Sequence, residues 1–380
     1  MAKIWSVFWQ FLMLGFVSFG GPAAHIGYFQ RTFVEKLKWL DDNAYARLVS
    51  LSQFLPGPGS SQVGFALGLR QAGLAGGIAA FTGFTLPSFL ALYLLAVAGM
   101  GYYDEPLVQG IIHGLKLLAV VVVADATLNM SRSFCKEPVT QVIMVLVAFA
   151  LLVFPGLLTQ MLVLILAAIA GMTLFRGEIT QSGQKNGVSW LPLAIFALLF
   201  AATPMLAALS PLAKLFSDFY QAGSLVFGGG HVVLPLLQQS VGEMMSTDRF
   251  LVGYAAAQAV PGPMFTMATF LGADLFTDSP FTGALVATLA VFLPGFMLVL
   301  GLQKAWESLA ERPKVAGAIW GINAAVVGLL LSALYSPVFV SAVKEPLDMA
   351  LVIVGFLLLR QKLPIVALVA GFAVAGAALS

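Results

Sequence analysis

Apolar positions along this chain gather into runs that approach or exceed the thickness of a bilayer core: 73–99, 107–129, 142–153, 159–175, 191–209, 281–302, 315–334 and 349–379. About 20 apolar residues in a helix cross the hydrocarbon, so the runs predict membrane-spanning helices. Other apolar stretches are interrupted in an unusual way. "FGGPAAHIGYFQ" starts at Phe19 and "FGGGHVVLPLLQ" at Phe227, while "QFLPGPGSSQ" starts at Gln53 and "QAVPGP" at Gln258. Glycine and proline both weaken a helix interior, and the pattern therefore predicts helices broken inside the membrane.

The interruptions recur in a fixed order. "FWQF" at 8–11 matches "FSDF" at 216–219, "QFLPGP" at 53–58 matches "QAVPGP" at 258–263, and "LPSF" at 86–89 matches "LPGF" at 293–296. "GIIHGLK" at 110–116 matches "GAIWGIN" at 317–323. Such ordered self-similarity predicts a duplication. A first copy covers 1–175, a linker and connecting helix 176–210, and a second copy 211–380. The linker holds "RGEITQSGQKNGV", the one long polar stretch between apolar runs.

Charge suggests how the copies are oriented. The loop 31–47 carries Arg31, Lys36, Lys38 and Arg47, whereas its counterpart 239–249 has only Arg249. Basic residues mark the cytoplasmic side, so the copies are expected to face opposite ways, as inverted repeats. The acidic loop 101–106 reads as external and the basic loop 304–314 as internal. Helices near 44–55 and 60–71 would each be about 18 Å long, roughly half a bilayer. Two re-entrant hairpins followed by four spans in each copy fit these lengths, with a tilted span broken at its centre as the alternative. This scheme puts the N-terminus inside and the C-terminus outside, although Lys214 and Lys344 then fall on the wrong side.

Composition agrees with the pattern. With 60% hydrophobic residues, 9% charged and a mean hydropathy of +0.96, the chain lacks the polar surface of a soluble globule. The expected class is an all-α polytopic membrane protein. A net charge of +2 with scattered basic residues excludes a nucleic-acid stripe and a polybasic lipid patch. The single cysteine, Cys135, excludes an internal disulfide and a multi-cysteine metal site, and neither metal nor cofactor is expected. "MLGFVSFGGPAAH" lacks a convincing cleavage site and belongs to the repeated module, so it reads as retained.

Broken backbone at membrane depth is tolerated where it is buried in protein or lines a cavity. Half-helices beginning near Gly20, Gly57, Gly228 and Gly262 would aim their N-termini, with free amides and partial positive charge, at a common centre. That arrangement is an anion cradle; packing through small residues is the competing explanation. Gly20, Gly21, Gly228, Gly229 and Gly230 would admit a ligand closely. Ser60 and Ser61 could cap the half-helix at Pro58, with Thr266 in their role in the second copy. Gln53 and Gln258 could donate amides to an oxygen ligand. His25 and His231 could donate to an anion or carry a proton, or simply pack. Lys116 is costly in a span and could face the anion path or snorkel; its counterpart is Asn323. Asp125, on one face with Asn129, is a proton-carrier candidate or half of a structural ion pair, and pairs with Lys116 only across helices or through a bend.

The same motifs, with "FTLPSF" and "WL" followed by acidic residues, closely resemble the chromate ion transporter family in its long bidomain form. The resemblance covers nearly the whole chain. It implies a carrier of the bacterial inner membrane that exports chromate, energised by the membrane potential or protons, with lipid around it and a homodimer allowed. The residues themselves lead only as far as an oxyanion. Sulfate is therefore the nearest rival substrate. An intramembrane enzyme acting on a phosphorylated lipid is the rival from another class; with His25, His113 and His231 the only histidines and no HExxH, it lacks a nucleophile–base set or metal ligands. A channel or a scaffold without substrate is a further alternative.

The inverted-repeat reading has a direct check. Cysteines placed singly in 31–47 and 239–249 are expected to react with an impermeant reagent from opposite sides of the membrane. Labelling of both from one side would refute it.

Overall fold

The computed structural model describes residues 1–19, 21–99, 105–175, 187–227, 233–241, 244–305 and 312–379. Every regular element among them is helical. The first copy supplies α1 (Ala2–Val17), α2 (Gly21–Phe29, continued by a wide turn Gln30–Lys36), α3 (Asp42–Phe54), α4 (Gly59–Gly99), α5 (Pro106–Phe134), α6 (Pro138–Val153) and α7 (Leu157–Leu174). A connecting helix, α8 (Trp190–Leu206), leads to the second copy. This supplies α9 (Pro211–Leu225), α10 (Val233–Val241), α11 (Thr247–Ala259), α12 (Met267–Leu275), α13 (Pro280–Leu302), α14 (Pro313–Ala333), α15 (Pro346–Arg360) and α16 (Ile365–Leu379). Four helical segments, Gly59–Gly99, Pro106–Phe134, Pro280–Leu302 and Pro313–Ala342, are long and apolar enough to cross a membrane. Large apolar side chains such as Phe149, Leu158, Leu166, Leu198 and Met205 are exposed, as a lipid-facing surface requires. The protein is an all-α polytopic membrane protein built on a repeat.

The breaks fall at the glycine and proline motifs. α1 stops at Val17 and α2 starts at Gly21, whose φ is 75°. α3 stops at Phe54 and α4 starts at Gly59. In the second copy, α11 stops at Ala259 and a short 3-10 turn, Met264–Thr266, leads into α12. The expected break at 228–232 lies outside the described residues. With 13 residues, α3 is about 20 Å long, too short for a hydrocarbon core of about 30 Å.

α4 is broken as well. Ala72 and Gly73 leave the helical conformation, Gly73 at φ 63°, and divide it into arms 59–71 and 74–99. The arms meet at Gly68 and Gly76, where a Cβ on either would strike the carbonyl of the other. α12 and α13 repeat that contact at Gly272 and Gly283. The apolar run 349–379 also divides, into α15 and α16, at a turn where Lys362 has φ 66°.

The compact units of the chain are not the two copies. One unit comprises Met1–Tyr102, Gly187–Val233 and Ala256–Lys304; the other comprises Tyr103–Asn186, Leu234–Ala255 and Ala305–Ser380. Each draws on both copies. In the first unit α4 packs on α1 and α13 packs on α9, copy by copy. In the second unit the partners are exchanged: α5 of the first copy packs on α15 and α16, while α14 of the second packs on α6 and α7.

Small residues allow that exchange. A Cβ at Gly114 would strike the Phe372 carbonyl, and one at Gly376 the Gly110 carbonyl. A Cβ at Gly171 would strike the Gly317 carbonyl, and one at Gly321 the Ala167 carbonyl. The matched "GIIHG" and "GAIWG" segments are thus small-xxx-small faces, each closing against the other copy. One further match shows itself in the structure: "KEPVT" at 136–140 and "KEPLD" at 344–348 both form capping boxes, on α6 and α15. Asp348 of the second box also accepts from the His113 ring on α5 at 2.7 Å.

Gly321→Leu is expected to destabilise the protein by about 1–3 kcal/mol or more, because the crossing cannot widen without losing its packing. Gly371→Ala, with open space around its Cβ position, should leave stability unchanged or slightly raised. Unfolding midpoints in detergent check both, and equal midpoints would refute the crossing as a stability determinant.

Candidate functional site

The polar core of the first unit is built where its proline-glycine breaks cross. Gly57 and Gly262 stand at φ 122° and 111°, backbone that favours glycine. The Gly57 amide donates to the carbonyl of Val226 at 2.7 Å, and the Gly262 amide donates to the carbonyl of Ser18 at 3.0 Å. Ser18 and Val226 are equivalent residues, each one place before an "FGG". The breaks of the two copies therefore complete one another. The contacts behind them are equivalent too: a Cβ at Gly57 would lie 2.9 Å from Gly295 Cα, and one at Gly262 would lie 2.8 Å from Ser88 Oγ. Gly295 and Ser88 occupy the same place in "LPGF" and "LPSF".

Around this crossing several buried side chains of the first copy are polar. Pro58 caps α4, its carbonyl accepting from the Gln62 amide at 2.9 Å. The first-turn amides of α4 lack intrahelical acceptors, as at any helix start. Ser60 and Ser61 sit within that turn and do not cap it. His25, fully buried on α2, has Nε2 3.2 Å from the Ser18 carbonyl and Nδ1 3.1 Å from Ser60 Oγ. A carbonyl only accepts, so Nε2 carries the hydrogen, and in the neutral ring Nδ1 accepts from the Ser60 hydroxyl. The hydroxyls of Ser18, Ser61 and Thr85 and the Gln62 side-chain oxygen are buried with no hydrogen-bond partner among the described residues. Gln62 Nε2 is engaged, donating to Pro56 at 2.8 Å and to Gly295 at 3.3 Å.

The second copy differs. Ser18, Ser60, Gln62, Thr85 and Ser88 are replaced by Val226, Phe265, Met267, Phe292 and Gly295. Val226, Phe265, Met267 and Phe292 are buried. Thr266 keeps a hydroxyl where Ser61 stands, but donates it to the Pro263 carbonyl. At these equivalent positions the first copy is polar and the second is largely apolar.

The structure brings Gly57, Ser60, Ser61, His25 and Gly262 into this polar core and distributes the other expected residues elsewhere. Gly21 begins α2 with open space at its Cβ position. Gln53 is exposed on the last turn of α3. Gln258 is half-buried, with Nε2 3.1 Å from Met264 Sδ. Gly20, Gly228, Gly229, Gly230 and His231 lie outside the described residues.

Lys116, Asp125 and Asn323 belong to the second unit. Lys116 is buried and paired with Asp248 at 2.7 Å, so its charge is already neutralised. Asp125 takes a different cation, Arg360 at 3.3 Å, and accepts from Asn129 at 2.8 Å. Lys116 and Asp125 therefore do not form a pair with each other. Asn323 borders a cavity of about 220 Å³ with Lys136, Glu137, Thr140 and Trp320, and its side-chain oxygen has no partner among the described residues.

Residues that sequence reasoning passed over are Ser18, Gln62, Thr85 and Ser88. All four stand in or beside the motifs that mark the repeat. Comparing the copies position by position would have exposed them as polar residues that turn apolar in the second copy.

Comparison with known proteins agrees with this architecture. An uncharacterised transporter of Methanocaldococcus jannaschii is 28% identical over 369 residues, 94% of this chain and 90% of that one. A chromate transport protein of Cupriavidus metallidurans is 28% identical over 376 residues, 96% of this chain and 90% of that one. A chromate transport protein of Pseudomonas aeruginosa is 27% identical over 353 residues, 85% of this chain and 78% of that one. No solved structure matches. The profile of the family described as "Chromate transporter" matches in two parts, residues 5–172 and 213–377, one for each copy. The chain belongs to the chromate transporter family, a family of transporters and not of enzymes.

Proposed function

We propose that the protein is a secondary transporter that exports chromate across the bacterial inner membrane, driven by the membrane potential or by proton antiport. The oxyanion sits at the first turn of α4. Backbone amides of Gly59, Ser60 and Ser61 and the hydroxyls of Ser18, Ser61 and Thr85 replace its water. The observation that carries this reading is the set of buried hydroxyls without partners beside a helix N-terminus, since buried polar groups are ordinarily satisfied and these await an acceptor. The naming of two relatives as chromate transport proteins supports the substrate. Alternating exposure of the site would follow from inverted copies exchanging arrangements.

Everted vesicles carrying the protein are expected to accumulate chromate when a potential or proton gradient is imposed, with excess sulfate competing weakly. Sulfate accumulation with chromate as a mere competitor would keep the site and replace the substrate; absence of flux for both would refute the reading.

Ser18→Val and Ser61→Ala, which remove unpartnered first-copy hydroxyls, should each weaken chromate binding about tenfold, the loss of one hydrogen bond to a charged ligand. Thr266→Val in the second copy, whose hydroxyl is already donated to Pro263, should change it little. Equal effects of the first-copy and second-copy changes, measured by calorimetry on purified protein, would refute a site lined by the first copy.

A further inference from the structure

We propose that His25 and Ser60 form a relay that takes up a proton when the oxyanion binds, so that the anion and a proton share the occupied state. The inference rests on the oxyanion site proposed above and adds its coupling.

One carbonyl fixes the ring. Ser18's carbonyl accepts from the Gly262 amide and from His25 Nε2, which leaves Nδ1 of the neutral ring as an acceptor and commits the Ser60 hydrogen to it. In that state Ser60 presents only lone pairs to the first turn of α4, an arrangement that repels an anion. When Nδ1 gains a proton from solvent, the hydrogen bond reverses. Nδ1–H then donates to Ser60 Oγ, and the hydroxyl's own hydrogen is released to donate to an anion at the α4 N-terminus. No covalent bond to the anion forms or breaks. The proton enters on Nδ1 and leaves from it when the anion departs.

The surroundings leave His25 as the group that can answer the anion. It is hydrogen-bonded to Ser18 and Ser60, and the Phe84 ring meets the imidazole edge-on with centroids 5.2 Å apart. On the elements packed around α2 the charged residues point elsewhere. Arg31, Glu35 and Lys36 on the wide turn, Asp42 and Arg47 on α3, Lys3 on α1 and Arg70 on α4 are all exposed. Asp42 accepts from Gln30, and Tyr45 donates its hydroxyl to the Ile26 carbonyl. A buried imidazole with no carboxylate beside it stays neutral while the site is empty, because a lone buried charge is costly. A dianion two bonds away supplies the missing partner. Anion binding and protonation therefore strengthen each other, and affinity rises as pH falls.

The relay chooses between the two driving forces left open above. A carrier that loads a proton with its dianion moves both in one direction, which is compatible with drive by the membrane potential and incompatible with proton antiport.

The test is calorimetry of chromate binding to the purified full chain, at a pH where chromate is wholly the dianion, in buffers of different ionisation heat. The wild type is expected to take up protons as the anion binds. His25→Gln should bind about tenfold more weakly and take up none. Ser60→Ala, a smaller change at a position that does not cap α4, should also bind and lose the uptake. Each variant is first checked for a cooperative melt, and Ser60→Ala keeps the test decisive if His25→Gln does not fold. Binding by the wild type without proton uptake would overturn the relay and leave the oxyanion site standing. Uptake retained in His25→Gln would move the coupling elsewhere, and uptake retained in Ser60→Ala alone would reduce the relay to His25 acting directly. A wild type that binds no oxyanion would overturn the site itself, and the relay with it.

Discussion

The first unit depends on two crossed backbone hydrogen bonds, Gly57 to Val226 and Gly262 to Ser18. Each joins a break in one copy to the residue before a break in the other. A backbone amide left unpaired in an apolar interior costs several kcal/mol, so neither break is stable by itself. Left-handed glycine backbone turns each amide outward, and the opposite copy supplies the acceptor. The polar core follows from this exchange. The Ser18 carbonyl, held by Gly262, holds the His25 ring, and that ring holds Ser60 on the first turn of α4.

Duplication supplied two equivalent frameworks, and their side chains have since parted. The backbone pairing is the same for both breaks, yet the first copy brings hydroxyls and amides to it where the second brings Phe265, Met267 and Phe292. A symmetric frame with asymmetric lining separates two tasks. The pairing maintains the breaks, and the side chains of one copy alone make the core polar. Lys116 illustrates the same divergence in the second unit: it is satisfied by Asp248, whereas its counterpart Asn323 is neutral and borders a cavity.

Much of this was legible in the sequence, for a physical reason. Breaks inside a membrane need glycine and proline, which stand out in an apolar chain, so the repeat, the break positions and the short length of α3 could be read directly. The division of 349–379 into two helices was legible as well, in Arg360, Gln361 and Lys362 followed by Pro364, and sequence reasoning missed it. Hydroxyls such as Ser18 and Thr85 look ordinary within apolar helices, because serine and threonine commonly satisfy themselves on their own backbone. Only the structure shows that these two do not. The partners of Lys116 and Asp125 were hidden because both lie far along the chain, at Asp248 and Arg360. The exchange of α5 and α14 between copies was hidden likewise, although the glycines that permit it were in plain view.

That exchange bears on how the chain is made. Ribosomes deliver α5 early, with its Gly110 and Gly114 face ready, but the helix that closes on it is α16, the last described helix of the chain. α6 and α7 likewise wait for α14. During synthesis the first copy therefore enters the bilayer with its helix-packing faces open, held by lipid in place of protein until the second copy arrives. Assembly waits for α16, and a nascent chain released before α16 emerges would carry an unclosed glycine seam that a second unfinished chain could fill.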